Sequence, residues 1–424
     1  MNDETKGITR RRLLAGGGML FLARHGWAAR DTDRVFAPQG NAGVEYGAAT
    51  LPLGIRSRRI DTNNLAVLHI LEAGYESAGR PCVVLLHGFP ELAYTWRNQM
   101  LPLARAGYHV IAPDARGYGL SAPRPVAYTD DIVPYSLFNR VADVLGLVRA
   151  LGCSEVAMVV GHDWGGPTAQ WCALLRPDVF RSVVSISTPF LRSPALPLDS
   201  AAHPAAVETE VDIDKALAAL PRPRKHYATY CASREANDNL WHAPQGIHSL
   251  LREQFYFKSA DWSGNDPHPL KSRTASEFAK MPTYYIMDLG KGMAETLAEH
   301  QPSPEYVAAC RWMTEDDIAV YAAQFARTGF QGGLNYYRVD ADDPMWNEQH
   351  IFAGKTIDVP ACYIGGAKEW GVYQRPGAFQ AMDKACTRFR GAHLVPAAGH
   401  SVVEEKPDSV NQILIEFLGK AAVG

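Results

Sequence analysis

Short runs of consecutive Val, Ile and Leu recur along this chain with helix-length segments between them, and that alternation leaves few folds open. The runs "CVVLLHG", "YHVIAPD", "EVAMVVG" and "FRSVVSIST" begin at residues 82, 108, 155 and 180. Strands buried on both faces read as continuous apolar runs, not as an alternation of apolar and polar residues. Helical spacing near Tyr94–Ala106, Ser136–Leu151 and Thr168–Leu175 supplies the covering layers. The expected class is α/β: a mostly parallel sheet flanked by helices. Upstream, "GIRSRRIDT" and "LAVLHILEAG" around the polar turn "TNN" predict an antiparallel pair. In such sheets the loops at the carboxyl ends of the strands build the site.

The pattern changes after Pro189. Up to about Ala353 buried-strand runs are few, and aromatic and charged residues fall at helical spacing between breaks such as "LPRPRK" and "SGNDPHP". Strand signal returns in "DVPACYIGG" and "AHLVPAAGH", with helices predicted over "AFQAMDKAC" and "SVNQILIEFLGK". The expected organisation is a core over residues 45–189 and 356–424, interrupted by a mostly helical cap over 190–355 and preceded by a leader over 1–29.

At 424 residues and 47% hydrophobic composition the chain can bury a large core with a second lobe. A net charge of -3 in mixed signs gives no basic stripe for nucleic acid. The expected partner is small and not highly charged. Among the seven cysteines, Cys82, Cys153, Cys172 and Cys362 lie in or beside apolar runs and read as free core thiols. No metal-ligand spacing, phosphate loop or dinucleotide fingerprint occurs, so no metal and no cofactor is expected.

The leader "TRRRLLAGGGMLFLA", followed by "GWAA", joins Arg10, Arg11 and Arg12 to an apolar stretch. It resembles a twin-arginine export signal, which implies the twin-arginine machinery as a partner and a periplasmic or secreted location. The apolar run is about 11 residues against the about 20 of a bilayer span, so no membrane span is expected. A basic leader that is never cleaved is the other reading, and Arg24 and His25 interrupt the apolar run.

Local signals at the strand ends carry the chemistry. "GHDWG", residues 161–165, has the glycine spacing of a nucleophile elbow with Asp163 in the central position. Asp163 reads either as a nucleophile or as a helix N-cap. "GGAKEWGVY" places Glu369 just past a strand, and "AAGHSVVEEKP" places His400 after the last strand. Nucleophile, acid, histidine is the chain order of α/β-hydrolases.

With "HGFPE", "DARGYGLS", "GHDWGG", "GGLNYYR" and "AAGHSVVEEKP", the chain resembles the α/β-hydrolase-fold epoxide hydrolases from about residue 45 onward. The resemblance implies hydrolysis of a small apolar epoxide to a diol through an alkyl ester on Asp163, with His400 as base and Glu369 orienting it. It implies oxyanion donors at the amides of Phe89 and Trp164, with a cis Phe89–Pro90 bond. It also implies two cap tyrosines as proton donors: Tyr337, and Tyr230 in preference to Tyr227. Trp164 reads as a pocket wall, Trp96 as a core anchor and His162 as a residue behind the site. The family more often carries Asp where this chain has Glu369, and the cap is longer than in many relatives. Haloalkane dehalogenases share the nucleophile and base but commonly carry Asn at the position of Phe89. A catalytically weakened ligand-binding protein on the same fold is the remaining alternative.

Overall fold

The computed structural model describes residues 50–191 and 212–421. The leader, and with it the export-signal reading, lies outside the described residues. An eight-stranded sheet contains β1 (Ile55–Asp61), β2 (Val67–Ala73), β3 (Cys82–Leu86), β4 (His109–Pro113), β5 (Val156–His162) and β6 (Val183–Ile186). The short strands β7 (Arg224–His226) and β8 (Ile286–Asp288) form a separate antiparallel pair, and β9 (Ala361–Gly366) and β10 (Phe389–Val395) complete the large sheet. Its order is β1-β2-β4-β3-β5-β6-β9-β10. The first two strands pair antiparallel, β2 meets β4 antiparallel, and all later pairings are parallel.

Alternation along each strand divides the core into two layers, because successive side chains point to opposite faces. Val83 and Leu85 of β3 pack with helices Arg97–Arg105 and Pro407–Ala421, through Met100, Leu103, Val410 and Leu414. Val84 and Leu86 pack on the other face with helices Leu137–Ala150 and Gly165–Leu175. Both faces are covered, which is why these strands carry apolar residues without interruption.

Between β6 and β9 the described chain is mostly helical and adds no strand to the large sheet. The β7–β8 pair inside it was not legible in the sequence, since three residues per strand leave no period to read. The insertion shares the apolar layer of the first face, through Tyr321, Phe325 and Leu334. Buried charge fastens it as well: Arg97 Nη1 lies 2.6 Å from Glu404 Oε1, Arg97 Nη2 lies 3.1 Å from Asp317, and the Tyr321 hydroxyl donates to Glu404 at 2.9 Å.

Cys172 and Cys362 are free and buried, as their apolar settings suggested. The reading of Cys82 and Cys153 as free thiols is corrected: they form a disulfide, with Cα atoms 6.6 Å apart. Cys82 opens β3 and Cys153 lies in the turn before β5, and these are neighbouring parallel strands in which Cys82 pairs with Val156. With a sequence separation of 71 between the two cysteines, only strand order brings them together. Closing a loop of that length contributes about 2–4 kcal/mol. Cys153→Ser is therefore expected to lower the unfolding free energy by about that amount in urea without reductant. Dithiothreitol should bring the wild type down to the variant, and a wild type indifferent to reductant would contradict the bond.

Candidate active site

Asp163 sits between β5 and helix Gly165–Leu175 with φ +49°, in the left-handed region that side chains rarely adopt. Two close backbone approaches make the turn possible. A Cβ on Gly161 would strike the carbonyl oxygen of Gly165, and one on Gly165 would strike that of Leu86. Trp164 occupies the N-cap position of the helix, so Asp163 does not cap it. Its carboxylate instead turns toward the turn after β3, where Oδ1 accepts the Phe89 N–H at 2.9 Å. The Phe89–Pro90 bond is cis.

Oδ2 of Asp163 lies 3.5 Å from His400 Nε2. The other ring nitrogen of His400, Nδ1, is 2.7 Å from Glu369 Oε1. Glu369 therefore reaches the imidazole despite its extra methylene. Its chain folds back beside Gly371, where a Cβ would lie 2.5 Å from Oε1. A carboxylate on Nδ1 fixes the ring's orientation and leaves Nε2 facing Asp163. The backbone of His400 is held too, its N–H donating to the Lys258 carbonyl at 2.9 Å. Burial alone would raise the Asp163 pKa. The His400 hydrogen bond and the charges of His400, Lys258 and His162 outweigh it and hold the carboxyl well below its ordinary value.

The cap tyrosines divide. Tyr337, on helix Gln331–Asp340, packs edge-on against Trp164 with centroids 4.9 Å apart and against Phe89 at 5.6 Å. Tyr227, the first residue of helix Tyr227–Ala232, meets Tyr337 at 5.9 Å. Both line one cavity with Phe89 and Pro90. The preference for Tyr230 is corrected: its hydroxyl donates to Asn239 Oδ1 at 2.6 Å, and it does not line that cavity. Three residues along a helix turn a side chain by about 60° and carry it about 4.5 Å up the axis, enough to exchange the cavity for the cap interior. Burial pushes the pKa values of Tyr227 and Tyr337 well above the ordinary phenol value, so both keep their protons. Trp96 is fully buried in the core, and Trp164 is half-buried with its ring against Tyr337.

Glu91 and Lys258 escaped the sequence reading. Glu91 closes "HGFPE", and its carboxylate oxygens lie 2.8 and 2.9 Å from Nδ1 of His162 while one accepts the Gly88 N–H at 2.8 Å. His162 Nε2 donates to the His400 carbonyl at 2.8 Å. Glu91, His162 and His400 are close enough together to suggest a metal site, but both nitrogens of His162 are engaged with acceptors and offer no lone pair. Cys82, Cys153 and His109 cluster similarly, with the two sulfurs bonded to each other.

Burial alone would lower the His162 pKa, yet the Glu91 charge and hydrogen bond, with Asp163 and Glu369 nearby, raise it to about 9 from 6.5. The same pairing lowers Glu91 against its burial. The unfolded chain releases the imidazole proton first, so the pair stabilises fully below about pH 6.5 and its contribution is lost as pH rises through about 9. The urea midpoint is expected to fall between about pH 6 and about pH 10, and Glu91→Gln should lower the midpoint at the acid end and flatten the fall. An equal fall in that variant would assign the pH dependence to other groups.

Residues 81–286 match the family model described as alpha/beta hydrolase fold. The chain is 32% identical over 364 residues to epoxide hydrolase A of Mycobacterium tuberculosis, covering 85% of this chain and 96% of that protein. It is 33% identical over 346 residues to epoxide hydrolase B of the same organism, covering 80% and 91%. The solved epoxide hydrolase from an endophytic Streptomyces superposes with a TM-score of 0.68 at 29% identity, over 87% of this chain and 96% of that one. With this fold and this degree of identity, the chain belongs to the α/β-hydrolase-fold epoxide hydrolase family.

Proposed function

We propose that this protein hydrolyses a small epoxide to a vicinal diol through a covalent ester on Asp163. The observation that carries the reading is the Asp163 carboxylate, set at a left-handed elbow between the Phe89 N–H and His400, beside a cavity that two protonated tyrosines line. Oδ2 attacks one ring carbon and the C–O bond breaks. The epoxide oxygen, held by the hydroxyls of Tyr227 and Tyr337, takes a proton as its negative charge develops. An alkoxide is a poor leaving group without such a donor, and phenols kept neutral by burial are able to donate.

The second step hydrolyses the ester. His400 Nε2 removes a proton from water, and the resulting hydroxide adds to Cγ of Asp163. Glu369 balances the imidazolium that forms. Negative charge gathers on Oδ1, the oxygen that already accepts from Phe89, with the Trp164 amide as the second donor. Collapse breaks the Cγ–Oδ2 bond, so the diol leaves carrying Oδ2 and takes the proton from the His400 imidazolium. The oxygen from water restores the carboxylate, and its proton returns to the tyrosine that gave one up. Atoms balance as epoxide plus water giving diol.

Asp163→Ala is expected to abolish diol formation from a simple aryl or alkyl epoxide. His400→Gln should complete the first step and accumulate a substrate-sized adduct on Asp163, detected by mass spectrometry. Tyr227→Phe should lower kcat by roughly ten- to a hundredfold, whereas Tyr230→Phe leaves it within a few-fold. Halide release from bromoalkanes without diol release from epoxides would favour dehalogenation instead, and full activity of Asp163→Ala would sink the nucleophile assignment.

We also propose export through the leader arginines. The Cys82–Cys153 disulfide supports this, since such bonds persist in oxidising compartments. Replacing Arg10 and Arg11 by Lys should move the protein from the periplasmic to the cytoplasmic fraction, and an unchanged distribution would return those arginines to a simple basic leader.

A further inference from the structure

Lys258 ends helix Gly246–Lys258 of the insertion and is only 8% exposed. It lines the cavity that holds Phe89, Tyr227 and Tyr337. Its ammonium lies 5.1 Å from the Tyr285 ring centroid and 6.0 Å from that of Tyr284. Among the described residues no carboxylate comes within ion-pair distance of it. A buried cation without a paired anion is costly, and rings at these distances offset only part of that cost. Its helix position adds the negative end of a dipole, which is again a partial offset.

Gln254 lines the same cavity. At i and i+4 the two side chains share one helical face, so the carboxamide and the ammonium face the cavity together among apolar and aromatic neighbours. The placement relative to the nucleophile is constrained as well, because the Lys258 carbonyl holds the His400 N–H at 2.9 Å. Burial lowers the Lys258 pKa, while the charges of Asp163, Glu369 and Glu91 act to keep the ammonium protonated.

We propose that Lys258 anchors a carboxylate carried by the substrate near its epoxide ring, with Gln254 as a neutral second donor. One ammonium and one amide suit a small, singly charged anion. A phosphate is more often met by the bidentate fork of an arginine or by a nest of backbone amides. The substrate class is then an epoxy acid, the product of epoxidising an unsaturated acid. The inference rests on the epoxide-hydrolase reading of this site and names what that site selects.

The test compares a 3-alkyl oxirane-2-carboxylate with its primary amide, which has nearly the same shape and no charge. In the wild type kcat/KM should favour the acid by at least about tenfold. Lys258→Met should remove most of that ratio and Lys258→Arg should retain part of it, whatever either variant does to absolute rates. A Lys258 that only balances the charge of Asp163 would change both substrates alike and leave the ratio intact, which overturns the proposal. So does a wild type that prefers the amide. Calorimetry with the corresponding cyclopropane carboxylate and carboxamide reads the same preference without turnover. Lys258-dependent carboxylate binding in a protein that opens neither epoxide would sink the hydrolase reading and leave the anion subsite standing. Hydrolysis of both epoxides with no acid preference in rate or binding would do the reverse.

Discussion

The left-handed turn at the end of β5 organises the carboxyl edge of this sheet. Asp163 leaves the end of β5 with φ +49°, and the turn closes only because Gly161 and Gly165 let backbone meet backbone. The consequence is directional. An aspartate in the extended geometry of an N-cap would cap the next turn, whereas here the side chain is thrown toward the β3 turn and the last loop, where an amide and an imidazole meet it. The backbone strain is held in place by strands on both sides of β5, which are buried on both faces.

Charge is the second constraint. Asp163, Glu369 and Glu91 are carboxylates in a buried region, and buried charges persist only where they are paired or hydrogen-bonded. His162 answers Glu91 and also ties the β5 end to the His400 carbonyl, so one imidazolium positions the elbow and the base loop together. His400 answers Glu369 through Nδ1 and leaves Nε2 for chemistry. Lys258 is the cation in this set without an ion pair, and it stands on the cavity wall.

Asp163, Glu369 and His400 were legible as a cluster because each sits inside a local motif at the end of a strand run. Glycines two before and two after Asp163, a glycine before His400 and the strand before Glu369 are all readable along the chain. The tyrosine pair was half legible. "LNYYR" placed Tyr337, but "YATY" offers two hydroxyls, and the difference between them is a fraction of a helical turn. Asn239 decides the matter by taking the Tyr230 hydroxyl, and it comes from a different helix, Ala236–Trp241. Glu91 stood in a recognised motif with nothing to mark its partner 71 residues away. Lys258 looked like any helical lysine, since burial is a property of what packs around a residue.

From the chain alone came the α/β class, the interruption by a mostly helical segment, and Asp163, His400 and Glu369 as candidates at the strand ends, since each depends on period, spacing or neighbours within a few residues. Tertiary structure decided the disulfide between Cys82 and Cys153, the placement of Tyr227 and not Tyr230 on the cavity wall, the Glu91–His162 pair and the unpaired ammonium of Lys258. Those features are set by which strands and helices become neighbours. Distance and desolvation between residues far apart in sequence leave no period for a sequence reading to detect.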